Sequence, residues 1–199
     1  CNAFKQRRKP ALPTPPRRWD VPPPPQSNVS PNRALRPLRL VLIDVFGPVR
    51  WPSAQHGYVY LVGYYDQATG YRWAFGCKTH TEPVVEALTQ RLRAALRLVV
   101  GEIEAIRTDN ASEFARAVRW SEYLGDCGIF GEFSVPYCAW QMGGVERGWG
   151  ISTPNAGIML QQLGRGMPIA ATKRHWCSAS LHAILLSNAH HSTVTTIDG

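Results

Sequence analysis

With 199 residues, the chain has room for one core of ordinary size and a tail. Its 44% hydrophobic content and seven tryptophans suit a globular domain, and no apolar run is long enough to span a bilayer. The net charge of +8 is confined to residues 1–40, which hold nine Lys/Arg against one acid, Asp20, whereas residues 41–199 hold 13 of each sign.

Residues 1–9 are polar and basic and carry no signal-peptide pattern. The first residue is Cys rather than Met, as expected of a fragment or a processed piece. Residues 10–37 contain ten prolines, including PPPP at 22–25, which predicts an extended, disordered basic linker over 1–37. Such a tail suits contact with phosphates or another polyanion, or acts simply as a solubilising charge run.

The folded domain is expected over 38–191, with a short tail at 192–199. LRLVLIDVF (38–46), YVYLVGYYD (58–66) and YRWAFGC (71–77) read as three strands, the last two joined by the turn DQATG. Residues 81–100 read as a helix with Thr81 at its N-cap, Pro83 in its first turn and an apolar stripe from Val84 to Val99. EIEAIRT (102–108) is a fourth strand, 112–128 a second helix ending at Gly128, and IFGEFSV (129–135) a fifth strand. A third helix opens near Gly143. Antiparallel hairpins followed by crossover units predict an α/β fold on a mixed sheet.

Five cysteines, odd in number, widely spaced and without CxxC, disfavour a disulfide framework and fit a reducing compartment. A zinc site is not expected, because His190-His191 has no cysteine pair beside it.

Three carboxylates stand out. Asp109 closes the strand EIEAIRT and precedes a polar cluster. In LRLVLIDVF, alternation places Leu40, Leu42, Asp44 and Phe46 on one face, and a carboxylate there is expensive unless it is paired or binds a metal. Glu146 lies one turn into the third helix, where the helix dipole alone would stabilise it. An ion pair or a solvent-facing edge would explain any one of them. If the strands from 38, 102 and 129 are neighbours, Asp44 and Asp109 fall near one end of the sheet, with Glu146 closing the cluster. Three carboxylates without Cys or His suit hard divalent ions, which act in pairs in phosphoryl transfer.

Four stretches carry a resemblance: IDVFGPV (43–49), YYDQATGYRWAF (64–75), IRTDNASEF (106–114) and SVPYCAWQMGGVERGW (134–149). In this order and spacing they resemble the integrase catalytic core of copia-type LTR retrotransposons, within the ribonuclease H-like superfamily. The resemblance covers about 38–190. It implies a ribonuclease H-like α/β fold, a five-stranded mixed sheet with three antiparallel strands and then two parallel ones, flanked by helices. It also implies that Asp44, Asp109 and Glu146 are catalytic acids holding two Mg²⁺ (or Mn²⁺) ions for DNA 3′-end processing and strand transfer. Cys1 would be a remnant of an upstream zinc-binding segment, in which a second Cys is expected at Phe4.

On this reading the partners are the element's DNA ends and the target DNA, the core works as a homo-oligomer on DNA, and the setting is the nucleus or a cytoplasmic particle. Arg107, Asn110, Gln141 and Arg147 would contact nucleic acid near the site, and Arg7, Arg8 and Lys9 would do so from the basic segment. For the arginines, a solvated or ion-paired surface role is an equal alternative. The sequence departs from the family's pattern at Ala111, Ala139, Trp140, Met142, Trp149 and Gly150. Gly148, Gly150, Pro154 and Gly157 crowd the third helix, so Pro154 is expected to disturb the mounting of Glu146. The alternatives are a catalytically impaired nucleic-acid-binding remnant, another ribonuclease H-like nuclease, or an unrelated α/β domain whose acids lie far apart.

Overall fold

In the computed structural model, residues 36–109, 117–134 and 141–191 are described. Strand β1 (Val41–Phe46) is the centre of the sheet because its residues 41–43 are apolar on both faces and buried on both. Next come β2 (Tyr60–Asp66) and β3 (Arg72–Cys77), joined by the predicted tight turn. Buried Asp66 shapes that turn: its Oδ2 accepts from the Thr69 N–H and hydroxyl, and its Oδ1 accepts from the Leu38 N–H.

Helix α1 (Glu82–Arg97) follows, then β4 (Ala105–Thr108), α2 (Val118–Asp126) and β5 (Phe130–Phe133). Thr81 occupies the N-cap position of α1, but its side chain makes no capping bond. Helix α3 (Gly143–Leu163) is followed by α4 (Ile169–Lys173) and α5 (Trp176–His191), two helices that sequence periodicity did not separate. Among the described residues, no helix is long and apolar enough to cross a membrane.

The sheet order is β3-β2-β1-β4-β5. β1 pairs antiparallel with β2, and β2 with β3, whereas β4 runs parallel to β1 and β5 parallel to β4. This is the expected mixed sheet. Val41, Ile43, Val62, Tyr64 and Ile106 on one face pack under Val85, Leu92 and Leu96 of α1 and Trp120 and Leu124 of α2. Leu40, Leu42 and Ala105 on the other face pack under Met142 and Val145 at the start of α3. Further along that face, Leu61 meets Leu160, Trp176 and Cys177. The sheet is therefore the middle of three layers.

The third helix corrects one expectation. α3 runs 21 residues without a break, with Pro154 inside it. Pro154 is exposed, and the helix is held by its buried residues Val145, Ser152, Ala156 and Leu160 rather than by local propensity. Two of its glycines are required by packing. A Cβ at Gly144 would lie 2.3 Å from the Tyr65 ring, and one at Gly148 would lie 2.9 Å from Arg72 Nε. Only without those side chains can α3 lie this close to the sheet.

Candidate functional site

Parallel register brings the two aspartates together. Leu42 of β1 lies beside Arg107 of β4, and Ile43 beside Thr108, so the same register carries Asp44 alongside Asp109 one step further on. Neighbouring strands are about 4.8 Å apart, and alternation gives Leu42 and Asp44 a common face. That face lies under α3, which places Glu146 in its first turn beside buried Val145. Glu146 and Asp109 are exposed, and Asp44 is half-buried.

Asp44 feels the other two carboxylates. Burial is the largest influence on Asp44 and pushes its pKa above the usual carboxylate value, and the negative charges of Glu146 and Asp109 push it further the same way. Opposing them, the Val45 N–H donates to Asp44 Oδ1 and the Trp149 indole N–H donates to Oδ2, each at 2.9 Å. Asp109 Oδ1 accepts from the Ser134 hydroxyl at 3.3 Å. An acidic cluster at the end of a sheet, one member of which is driven toward protonation, is an arrangement that a divalent cation would relieve.

In donor type the set fits such an ion, since all three ligands are hard carboxylate oxygens. In separation it is open: among the described residues, no three His, Cys, Asp or Glu side chains stand close enough to hold one ion together. Asp44 Oδ2 would also have to exchange its indole partner for the metal.

The other expected site residues divide into groups. Arg107 is engaged within the protein: its Nε and Nη2 donate to Glu132 Oε2 at 3.1 and 2.7 Å, with both side chains 12% exposed. Its Nη1 also donates to the Gln141 carbonyl at 3.5 Å. This is the ion-paired alternative for Arg107. Gln141 stands half-buried just before α3, and Arg147 is exposed beside Glu146. Asn110, Arg7, Arg8 and Lys9 lie outside the described residues, as do Cys1, Phe4, Ala111, Ala139, Trp140, most of the proline-rich segment and the tail after residue 191.

One residue enters the site that sequence reading did not place there, and a second, Arg72, is buried under the same helix. Trp149, three positions after Glu146, lies on the bare backbone of Gly63 and 5.5 Å from the Phe46 ring, from which it reaches Asp44. Its i, i+3 spacing from Glu146 was the available signal. Arg72 shares a strand face with the small Ala74 and Gly76, an unusual inward place for a cation, and lies under Gly148.

No protein-family model matches the chain. Its fold is similar to that of a chain in the cryo-EM structure of the simian T-cell lymphotropic virus intasome in complex with PP2A regulatory subunit B56 gamma. That match has a TM-score of 0.58 and 20% identity over 76% of this chain and 49% of that one, so this chain spans about half its length. The catalytic core domain of BIV integrase gives a TM-score of 0.48 and 19% identity over 73% of this chain and 80% of that one. With the strand order above, the first of these likenesses shows the fold, a mixed five-stranded sheet of the ribonuclease H-like kind.

Proposed function

We propose that the chain is the catalytic core of an integrase-type polynucleotidyl transferase, of the copia-type retrotransposon kind suggested by its four motif stretches. The observation that carries this reading is the parallel register of β1 and β4, whose last pair, Ile43 with Thr108, immediately precedes Asp44 and Asp109, together with the charges of Glu146 and Asp109 acting on Asp44. A neighbour of similar fold, a chain from an intasome structure, supports it.

On this reading Asp44, Asp109 and Glu146 would hold two Mg²⁺ or Mn²⁺ ions. When bound, such a pair activates a water or hydroxyl and stabilises the leaving oxygen in phosphoryl transfer. The chain's own part is to fix the three carboxylates. β1 and β4 set the spacing of the aspartates, the first turn of α3 sets Glu146, and Trp149 orients Asp44. In strand transfer a DNA 3′-hydroxyl attacks a target phosphodiester. One P–O bond forms as another breaks, so no energy-supplying cofactor is needed. The partners are the element's DNA ends and a target duplex, engaged by a homo-oligomer.

The test is strand transfer or disintegration on a short branched DNA with Mn²⁺. Activity should appear with the metal and vanish in Asp109→Asn. Wild type that binds DNA but performs no transfer would leave the second reading, a non-catalytic nucleic-acid-binding remnant. The indole already engaged on Asp44 and the openness of the carboxylate set favour that second reading.

A further inference from the structure

Strand β3 is an edge of the sheet, and among the described residues it pairs with β2 alone. In an antiparallel pair, backbone N–H and C=O groups point alternately toward the partner strand and away from it. Those of Arg72 point away, and one side chain of α5 takes both. Asn188 Oδ1 accepts from the Arg72 N–H at 3.0 Å, and Asn188 Nδ2 donates to the Arg72 carbonyl at 2.7 Å. That amide does what the backbone of a sixth strand would do. The period of two turns the N–H and C=O of Ala74 and Gly76 to the same open side. Among the described residues, nothing hydrogen-bonds to them there.

This open side is the floor of a groove of about 280 Å³, with a wall on each face of the sheet. On the α1 face stand Phe75, Leu88 and Arg91, and the Arg91 guanidinium carbon lies 5.5 Å from the centre of the Phe75 ring. On the α5 face stand Cys177 and Leu181, with the Tyr58 ring lying on the bare backbone of Gly76. No acid lines the groove, whereas Arg91 and His56, both exposed, do. Folds normally cover or blunt a strand edge. Here Asn188 covers the Arg72 end and leaves the walled part open.

We propose that the β3 edge captures an extended acidic peptide of another protein as a sixth strand, with Ala74 and Gly76 supplying the ladder. Main-chain hydrogen bonds hold such a peptide, and alternate side chains select it. A peptide residue opposite Phe75 projects onto the α1 face toward Arg91, so it is Asp or Glu. Its two neighbours, opposite Ala74 and Gly76, project onto the α5 face among Tyr58, Cys177 and Leu181, so they are apolar. Antiparallel addition is the more stable pairing and turns the N–H groups of those two neighbours toward β3. A second copy fits less well, because two-fold pairing of the edges sets the basic groove of one copy against the same groove of the other. The proposal does not depend on the nucleic-acid reading.

The experiment titrates the full chain with the end-blocked pentapeptide Thr-Val-Glu-Val-Thr and follows backbone amides by heteronuclear NMR. The Ala74 and Gly76 amide signals should shift, and their exchange with solvent should slow several-fold. Methylating the two Val nitrogens removes the donors that face β3 and should abolish both effects. In Arg91→Glu, a change to an exposed side chain, the Glu peptide should bind several-fold more weakly and Thr-Val-Lys-Val-Thr should bind in its place. Unmoved Ala74 and Gly76 amides, or equal binding of the methylated peptide, overturn the added strand. A preference for Glu over Lys that survives in Arg91→Glu overturns the acidic assignment. Should the two amides become protected with rising protein concentration alone while sedimentation shows a dimer, the edge serves a second copy and the peptide proposal is overturned.

Discussion

The Trp149 indole N–H donates a 2.9 Å hydrogen bond to Oδ2 of Asp44, joining the second turn of α3 to the central strand across 105 positions of sequence. A hydrogen bond to a charged acceptor contributes about 1.5–3 kcal/mol. Trp149→Phe keeps an aromatic ring against Gly63 and Phe46 but removes the donor. It should destabilise the domain by about 2 kcal/mol at neutral pH, measured by urea denaturation. The loss should shrink in acid, where Asp44 is protonated and gains less from the bond. A loss independent of pH would assign Trp149 to packing alone.

Asp44 itself should behave as a stability liability. Burial, then the nearby Glu146 and Asp109, raise its folded-state pKa above the unfolded value of 3.8, against the hydrogen bonds from Val45 and Trp149. A raised carboxylate pKa means that the native state holds the proton more tightly. Its contribution to stability is therefore complete below about pH 3.8 and is lost as pH rises through the folded-state value. Asp44→Asn removes the charge and keeps a carbonyl oxygen for the indole. The variant should melt above wild type at pH 7, and the gap should close as pH falls toward 3.8. The same substitution should abolish the proposed transfer activity, an exchange of stability for function common at active sites.

Which parts of this were readable in advance follows from physical range. The five strands were visible because alternation is local, and Asp44 and Asp109, each one step past the last β1–β4 pair, fall near one end of the sheet once those strands are taken as neighbours. Helix α1 announced itself by a stripe whose Val85, Leu92 and Leu96 are buried, although the helix stops at Arg97 and leaves Val99, the stripe's expected end, exposed. The continuity of α3 was not readable. Pro154 and five glycines argue against a helix locally, and contacts with the sheet overrule them. Helix α5 mixes polar and apolar residues around its whole circumference, so it shows no stripe to separate it from its surroundings. Trp149 on Asp44 and Asn188 on Arg72 join residues more than 100 positions apart, which no local pattern encodes.

The glycines and proline of α3 should separate into two classes by stability. At Gly148 an added methyl meets Arg72 Nε at 2.9 Å, so Gly148→Ala should destabilise by about 1–3 kcal/mol. At Gly150 and Gly157 nothing lies within 4 Å of a new Cβ, so each Ala should stabilise by up to about 1 kcal/mol. Pro154→Ala, at an exposed interior position, should gain up to about 3 kcal/mol. Thermal melts of the four variants check the ordering. Equal effects at Gly148 and Gly157 would contradict the close approach of α3 to β3.

The Arg107–Glu132 pair ties β4 to β5 with both side chains 12% exposed, and it allows a cycle of substitutions to be read cleanly. Arg107→Ala leaves a largely buried carboxylate without its counter-charge, which costs about 3–5 kcal/mol when the site is dry. Glu132→Ala strands the guanidinium in the same way, although its Nη1 keeps the Gln141 carbonyl. Replacing both by Leu fills the space without charge and should recover most of either single loss. Urea denaturation of the two singles and the double measures the coupling. The DNA salt slope of the folded double variant should equal that of wild type, because Arg107 is engaged by Glu132 and neutralises no phosphate. A slope lowered by about one in that variant would return Arg107 to the nucleic-acid contacts and move the binding surface toward β4.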